Sequence, residues 1–161
     1  MSEPAEHVRP SGDESLRLLC AVGRTLDQEL DEALRGCGSD VDQWRVLGLL
    51  ASRGGCTMSV VAEHALLLAP RATKLVDRMT AANLVHRRPD VVDRRRVLVV
   101  ATERGRAALA DWDAAAAGVL DRYRGLLGPD AAVFDDVLRR LQDATGRAGA
   151  PGLAGLGASE S

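Results

Sequence analysis

The chain has 161 residues, 46% hydrophobic and 27% charged, with a formal net charge of -2, which suits one packed domain with an appended helical arm. The first residues, "MSEPAEHVRPSGDES", are polar and acidic with no apolar signal core, and no apolar run approaches a membrane span, so a cytoplasmic protein is expected. Three cysteines (Cys20, Cys37 and Cys56), an odd number without metal-type spacing, are expected to be reduced thiols.

Residues 1–13 read as a disordered lead. An amphipathic helix is predicted over 14–35, where Leu19, Val22, Leu26, Leu30 and Leu34 recur at spacings of three and four. Gly36 is its expected stop, and Ser39 or Asp40 the next N-cap. A second helix follows over 41–52, with Trp44, Val46, Leu47 and Leu50 inward, until "RGG" breaks it. Thr57 or Ser59 caps a short third helix carrying Val60, Val61 and Ala65. The fourth runs from about Ala69 to Ala82, with Pro70 in its first turn, where a missing N–H matters little. Ala72, Leu75, Val76 and Met79 form its inward face.

The period then changes. "NLVHRRP" and "RRRVLVVAT" alternate and are β-branched, so they read as a hairpin around "PDVVD". Thr102 caps a fifth helix over 103–125, with Leu109, Trp112, Ala116, Val119 and Tyr123 at helical spacing. A sixth covers 131–143 through Val133, Phe134, Val137, Leu138 and Leu141. The Gly/Ala/Ser-rich residues 146–161 read as a disordered tail. Only four side chains in the whole sequence are aromatic (Trp44, Trp112, Tyr123 and Phe134), so Leu, Val and Ala must form the core, as in closely packed helices.

Charge is distributed unevenly along this pattern. Residues 69–96 hold eight basic side chains against three acids, a balance of +5, while the rest of the chain holds 13 against 20, or -7. A basic segment on an acidic body suits a polyanion-binding surface; a solvated charged face is the alternative. Two successive helices followed by a basic hairpin read as a winged helix-turn-helix, whose second helix enters the DNA major groove while the hairpin lies along the backbone or in the minor groove. The fold class is therefore mainly α with a small β-hairpin wing: residues 40–102 form the DNA-binding domain, and residues 14–36 and 103–145 a helical dimerisation region. On the fourth helix Arg71, Thr73, Lys74 and Arg78 lie off the apolar stripe, with Arg71 and Lys74 favoured for groove contacts. For any one of them an ordinary exposed helix face is the competing reading.

The stretch from Asp42 to Leu109 resembles the MarR family of bacterial regulators, through "QWRVL", "TKLVDRM", "NLVHRR" and above all "DVVDRRRVLVVATERGRA". The resemblance implies a dimeric winged-helix repressor of double-stranded DNA, released by a small ligand or by oxidation. It implies that Asp93, Arg94 and Arg95 stand at the working turn of the wing, with the aspartate orienting arginines and an arginine entering the minor groove; Arg96 adds a phosphate contact or is solvated. The family's glycine and serine before the recognition helix are replaced here by Leu66 and Leu68. Leu66 is expected to avoid the positive φ open to glycine, Leu68 cannot cap through its side chain, and both are expected to fill the core or line an apolar pocket.

A twofold pair reads two half-sites, so a palindromic operator and a homodimer are expected, the first, fifth and sixth helices burying one another across the interface or within one chain. The resemblance also implies a small-molecule effector site between arm and DNA-binding lobe, for which Trp44, Arg45 and His64 are loose candidates. A redox alternative places the sensing thiol at Cys20, and a protein-interaction module without DNA binding is the competitor from another class. No nucleophile elbow, phosphate loop or dinucleotide fingerprint is present in the sequence, and His7, His64 and His86 form no ligand pattern with the cysteines, so neither an enzyme, a cofactor nor a metal is expected.

Overall fold

The structure, a computed structural model, describes residues 12–148. In chain order it contains α1 (Gly12–Arg35), α2 (Val41–Arg53), α3 (Met58–His64), α4 (Ala69–Ala81), β1 (Val85–Pro89), β2 (Val97–Ala101), α5 (Glu103–Leu127), a 3-10 turn (Gly128–Asp130) and α6 (Ala131–Ala148). This is the expected order of four helices, a hairpin and two helices. The lead and the tail lie mostly outside the described residues. Where they overlap them, both expectations need correction, since α1 already includes Gly12 and Asp13 and α6 runs on through 146–148.

The helices start where a side chain or a favourable backbone permits. Of the two candidate caps for α2, Asp40 does the work: its carboxylate accepts from the Gln43 N–H at 2.8 Å. Thr102 caps α5, accepting from the Gly105 N–H at 2.9 Å while its hydroxyl donates to the Asn83 carbonyl at 2.7 Å. Thr57 sits at the N-cap of α3 with extended backbone but makes no capping bond through its side chain.

Three of the helices end with one closure. Residue C′ takes the left-handed conformation, its N–H bonds back three residues, and the next N–H bonds back five. At α1 the bonds are Gly38 to Arg35 (3.0 Å) and Ser39 to Leu34 (3.0 Å), so Gly38 (φ +74) rather than Gly36 is the true stop. At α4 they are Asn83 to Thr80 and Leu84 to Met79, both 2.9 Å, with Asn83 at φ +57. At α3 they are Leu66 to Glu63 (3.1 Å) and Leu67 to Ala62 (2.9 Å), and Leu66 sits at φ +55. The expectation that Leu66 would avoid this region is overturned: the closure demands it whatever the side chain, at about 1–2 kcal/mol for a residue bearing Cβ. Leu66 and Leu68 do not fill the core either, being 87% and 81% exposed, and Leu67 is the residue of this turn that packs inward.

The chain divides into two compact units, one ending at Val119 and the other starting at Leu120. In the first, the core gathers Leu34 of α1, Val46, Leu47 and Leu50 of α2, Val61 of α3, Leu75, Val76 and Met79 of α4, Val85 and Val99 of the hairpin, and Trp112 of α5. Every inward position predicted on α4 is buried. The hairpin is antiparallel, with Val85 opposite Ala101 and Pro89 opposite Val97. Arg94, Arg95 and Arg96 precede β2 instead of forming its start, as "RRRVLVVAT" had suggested. Cys56 adds a short third pairing, exchanging two backbone bonds with Val99 at 3.0 and 2.8 Å, which ties the loop after α2 to the wing. In the second unit, α6 leaves Val133, Val137, Leu138 and Leu141 of its apolar stripe exposed, while Phe134 is half-buried.

Candidate nucleic-acid interface

Burial of Ala72, Leu75, Val76 and Met79 fixes the rotation of α4 and turns Arg71, Thr73, Lys74, Asp77 and Arg78 outward. The wing is tied to this face by Arg87 of β1, whose guanidinium meets Asp77 of α4 at 2.7 Å. The expected recognition helix and the expected wing therefore lie side by side.

The cations of this surface fall into two groups. Arg71 pairs with Asp42 at 3.1 Å and Arg78 approaches Asp40 at 3.9 Å, both acids belonging to the start of α2. Lys74, Arg88, Arg94, Arg95 and Arg96 are exposed and have no ion-pair partner among the described residues. Thr73, also exposed, donates its hydroxyl proton to the Ala69 carbonyl at 3.0 Å.

The loop that presents the arginines is shaped by its aspartates. Asp90 accepts from the Val92 N–H and Asp93 from the Arg95 N–H, each at 3.0 Å, the geometry of Asx turns. The Arg96 N–H donates to the Asp93 carbonyl and the Asp90 N–H to the Arg96 carbonyl, both at 2.9 Å, which closes the loop. Asp93 thus orients the backbone carrying Arg94 and Arg95. Among the described residues it forms no ion pair with their guanidinium groups, because a short aspartate reaches the N–H two residues on more readily than a distal side chain.

Two concavities flank α2. A cleft of about 510 Å³ between α1, α2 and α4 is lined by four arginines and four aspartates, among them Arg24 and Asp31 beside the paired Arg71, Arg78, Asp40 and Asp42. A second, of about 330 Å³, is lined by Trp44, Arg45, Gly48, Leu49, Ser52 and His64, so it brings the three loose ligand candidates together. There the Trp44 Nε1–H donates to Asp113 at 2.8 Å and Arg45 is held by Asp27 at 2.6 Å. Burial, reinforced by Arg53 and Arg45, pushes the His64 imidazole below its usual pKa. Cys20 is exposed on α1, while Cys56 is buried and its thiol is pushed up by desolvation. No group of three or more His, Cys, Asp or Glu among the described residues is placed to hold a metal, and no helix among them is long and apolar enough to cross a membrane.

Sequence reasoning missed the acids opposite α4. Asp42 lies 29 residues before Arg71, and nothing local to either signals the pairing. It also missed Gly105, where a Cβ would stand 2.1 Å from the Leu84 carbonyl oxygen.

Comparison with known proteins places this arrangement. A model described as MarR family matches residues 39–96. The chain is 33% identical over 87 residues to the HTH-type transcriptional repressor IacR of Pseudomonas putida, an overlap of 54% of this chain and 52% of that protein, so it spans about half the length of this curated relative. The crystal structure of CouR from Rhodococcus jostii RHA1 bound to p-coumaroyl-CoA is similar at TM-score 0.73 and 30% identity, over 82% of this chain and 92% of that one. A transcriptional regulator (MarR family) from Rhodococcus sp. RHA1 is similar at TM-score 0.73 and 28% identity, over 84% and 95%. Agreement in sequence and fold over nearly the whole of a 30% identical relative, with the family's own pattern across the helix-turn-helix and wing, makes this chain a member of the MarR family.

Proposed function

We propose that this protein is a cytoplasmic transcriptional repressor which binds double-stranded DNA as a homodimer, through α4 and the wing, at a palindromic operator. The observation that carries the reading is the set of exposed, unpaired cations at Lys74, Arg88, Arg94, Arg95 and Arg96 beside the outward face of α4, in a chain whose net charge is -2. Lys74, one turn into α4, stands where a recognition helix meets base edges, and Arg94 and Arg95 stand where an arginine can enter a narrow minor groove. The acidic remainder repels phosphate, leaving this face as the attractive one. Dimerisation is supported by large apolar side chains left exposed among the described residues: Leu16, Leu18, Leu19 and Val22 on α1, and Val133, Val137 and Leu138 on α6.

Release by a small molecule is part of the same reading. The pocket with Trp44, Arg45 and His64 offers an aromatic face beside a guanidinium that Asp27 holds in place and an imidazole, which suits an aromatic ligand with a polar group. CouR, crystallised with p-coumaroyl-CoA, is a relative whose ligand has this character. A ligand there releases DNA only by binding one arrangement of the dimer better than the other.

The test is selection of duplexes from a random library by the full-length chain, with sedimentation of the free protein. The reading expects an enriched inverted repeat and a dimer. No enrichment, or an enriched sequence bound by a monomer, would refute it.

A further inference from the structure

Within the described residues, five backbone positions take φ between +54 and +75: Gly38, Gly54, Leu66, Asn83 and Gly128. Three carry glycine, which has no Cβ to strain, and Asn83 is of a type that tolerates the region. Leu66 alone sets a bulky apolar side chain there, at φ +55, in a helix closure that Gly38 and Asn83 perform at the ends of α1 and α4. Two residues on, Leu68 occupies the N-cap of α4 without a side chain able to accept from its free amides. Both positions disfavour leucine locally, and neither leucine is compensated by burial inside the chain, since they are 87% and 81% exposed. Nothing among the described residues covers these two leucines, and a partner outside the chain would offset their penalties.

Their surroundings indicate what that is. Ala69 and Pro70 are also exposed, so the start of α4 is an apolar edge, followed within one turn by the outward cations Arg71 and Lys74. An apolar edge bordered by cations matches a groove whose rims are phosphate and whose floor carries one apolar landmark, the 5-methyl group of thymine. We propose that Leu66 and Leu68 form a thymine-methyl reader at the leading edge of the recognition helix, one that contributes to operator choice through apolar contact. The proposal rests on the DNA-binding reading above and adds a specificity element to it.

The experiment uses the full-length chain and a duplex it has enriched from a random library. Each thymine is replaced singly by deoxyuracil, which deletes the methyl group and nothing else. For the wild-type chain, one or two positions in each half-site should weaken binding by about fourfold per methyl. L68A and L66A should show little response to the same replacements. The L66G variant relieves the backbone strain, so it should unfold no earlier than wild type while losing the methyl response, which separates recognition from folding. A wild-type chain indifferent to every replacement, or leucine variants that discriminate as well as wild type, would overturn the proposal alone. Variants that keep the methyl response but lose self-association or retention of a protein partner would do the same, assigning the leucines to a protein contact. A chain that enriches no duplex would remove the DNA-binding reading and this inference with it.

Discussion

Gly105 lies in the first turn of α5, where the helix crosses the residue that enters the wing. A Cβ built there stands 2.1 Å from the Leu84 carbonyl oxygen, 3.0 Å from its carbon and 3.2 Å from Leu47 Cδ1. A carbon–oxygen contact settles at about 3.3 Å, so G105A must open this junction by roughly 1.2 Å. The Leu84 carbonyl cannot yield freely, because it accepts from the Thr102 N–H at 3.0 Å and, at 3.1 Å, shares the Thr102 hydroxyl proton with the Asn83 carbonyl. Overpacking of this kind costs about 1–3 kcal/mol, and loosening the two bonds adds about 1 kcal/mol each. The better helix propensity of alanine returns about 1 kcal/mol, which leaves a net loss of about 2–4 kcal/mol. Urea unfolding followed by circular dichroism measures it. Gly118 is the internal control: it lies in the same helix with nothing within 4 Å of its would-be Cβ, so G118A should be neutral or slightly stabilising. A G105A protein within about 0.5 kcal/mol of wild type would refute the close approach.

Other outcomes follow from the charged groups. Replacing Asp42 by Asn releases Arg71 from an exposed ion pair and removes a negative charge beside α4; duplex affinity should rise about two- to fivefold, read by fluorescence anisotropy at low salt, with unfolding unchanged. Changing Arg94 or Arg95 to Ala removes two cations from the dimer, so each should lower the slope of log affinity against log salt by about two, whereas equal slopes would remove the wing from the interface. His64 is held below its usual pKa, first by burial and then by Arg53 and Arg45. Near pH 6 the unfolded chain therefore binds the proton more readily than the folded one, so stability should rise as pH rises through the folded and unfolded values and be lost on acidification. H64Q should flatten this dependence in urea unfolding between about pH 5 and pH 8.

Much of the fold is written in short-range pattern. The apolar spacing of α4 places Ala72, Leu75, Val76 and Met79 inside, and that placement alone turns Arg71, Lys74 and Arg78 outward. Thr102 is recognisable as a cap because a hydroxyl before a helix has one usual task. What escaped was of two kinds. Some features depend on residues distant in sequence, such as Arg71 meeting Asp42 or Gly105 meeting Leu84, where neither partner carries a local mark of the other. Others are local contests in which geometry prevailed over residue preference. Leu66 takes a left-handed conformation because the end of α3 closes through Glu63 and Ala62, and Asp93 bonds the Arg95 N–H because that donor is nearer than any guanidinium. The wing arginines were legible as a cluster. Their presentation from an Asx-turn loop, beside an α4 whose own arginines are partly held by Asp40 and Asp42, was not.

If α4 and the wing grip phosphate, binding must release counterions and weaken steeply as salt rises. The affinity of the full-length chain for its enriched duplex should fall by about 10³-fold or more between roughly 50 and 200 mM salt, as expected when a dimer neutralises six or more phosphates. An affinity that stays flat across that range, or a chain that binds no duplex at the lowest salt, would contradict the account.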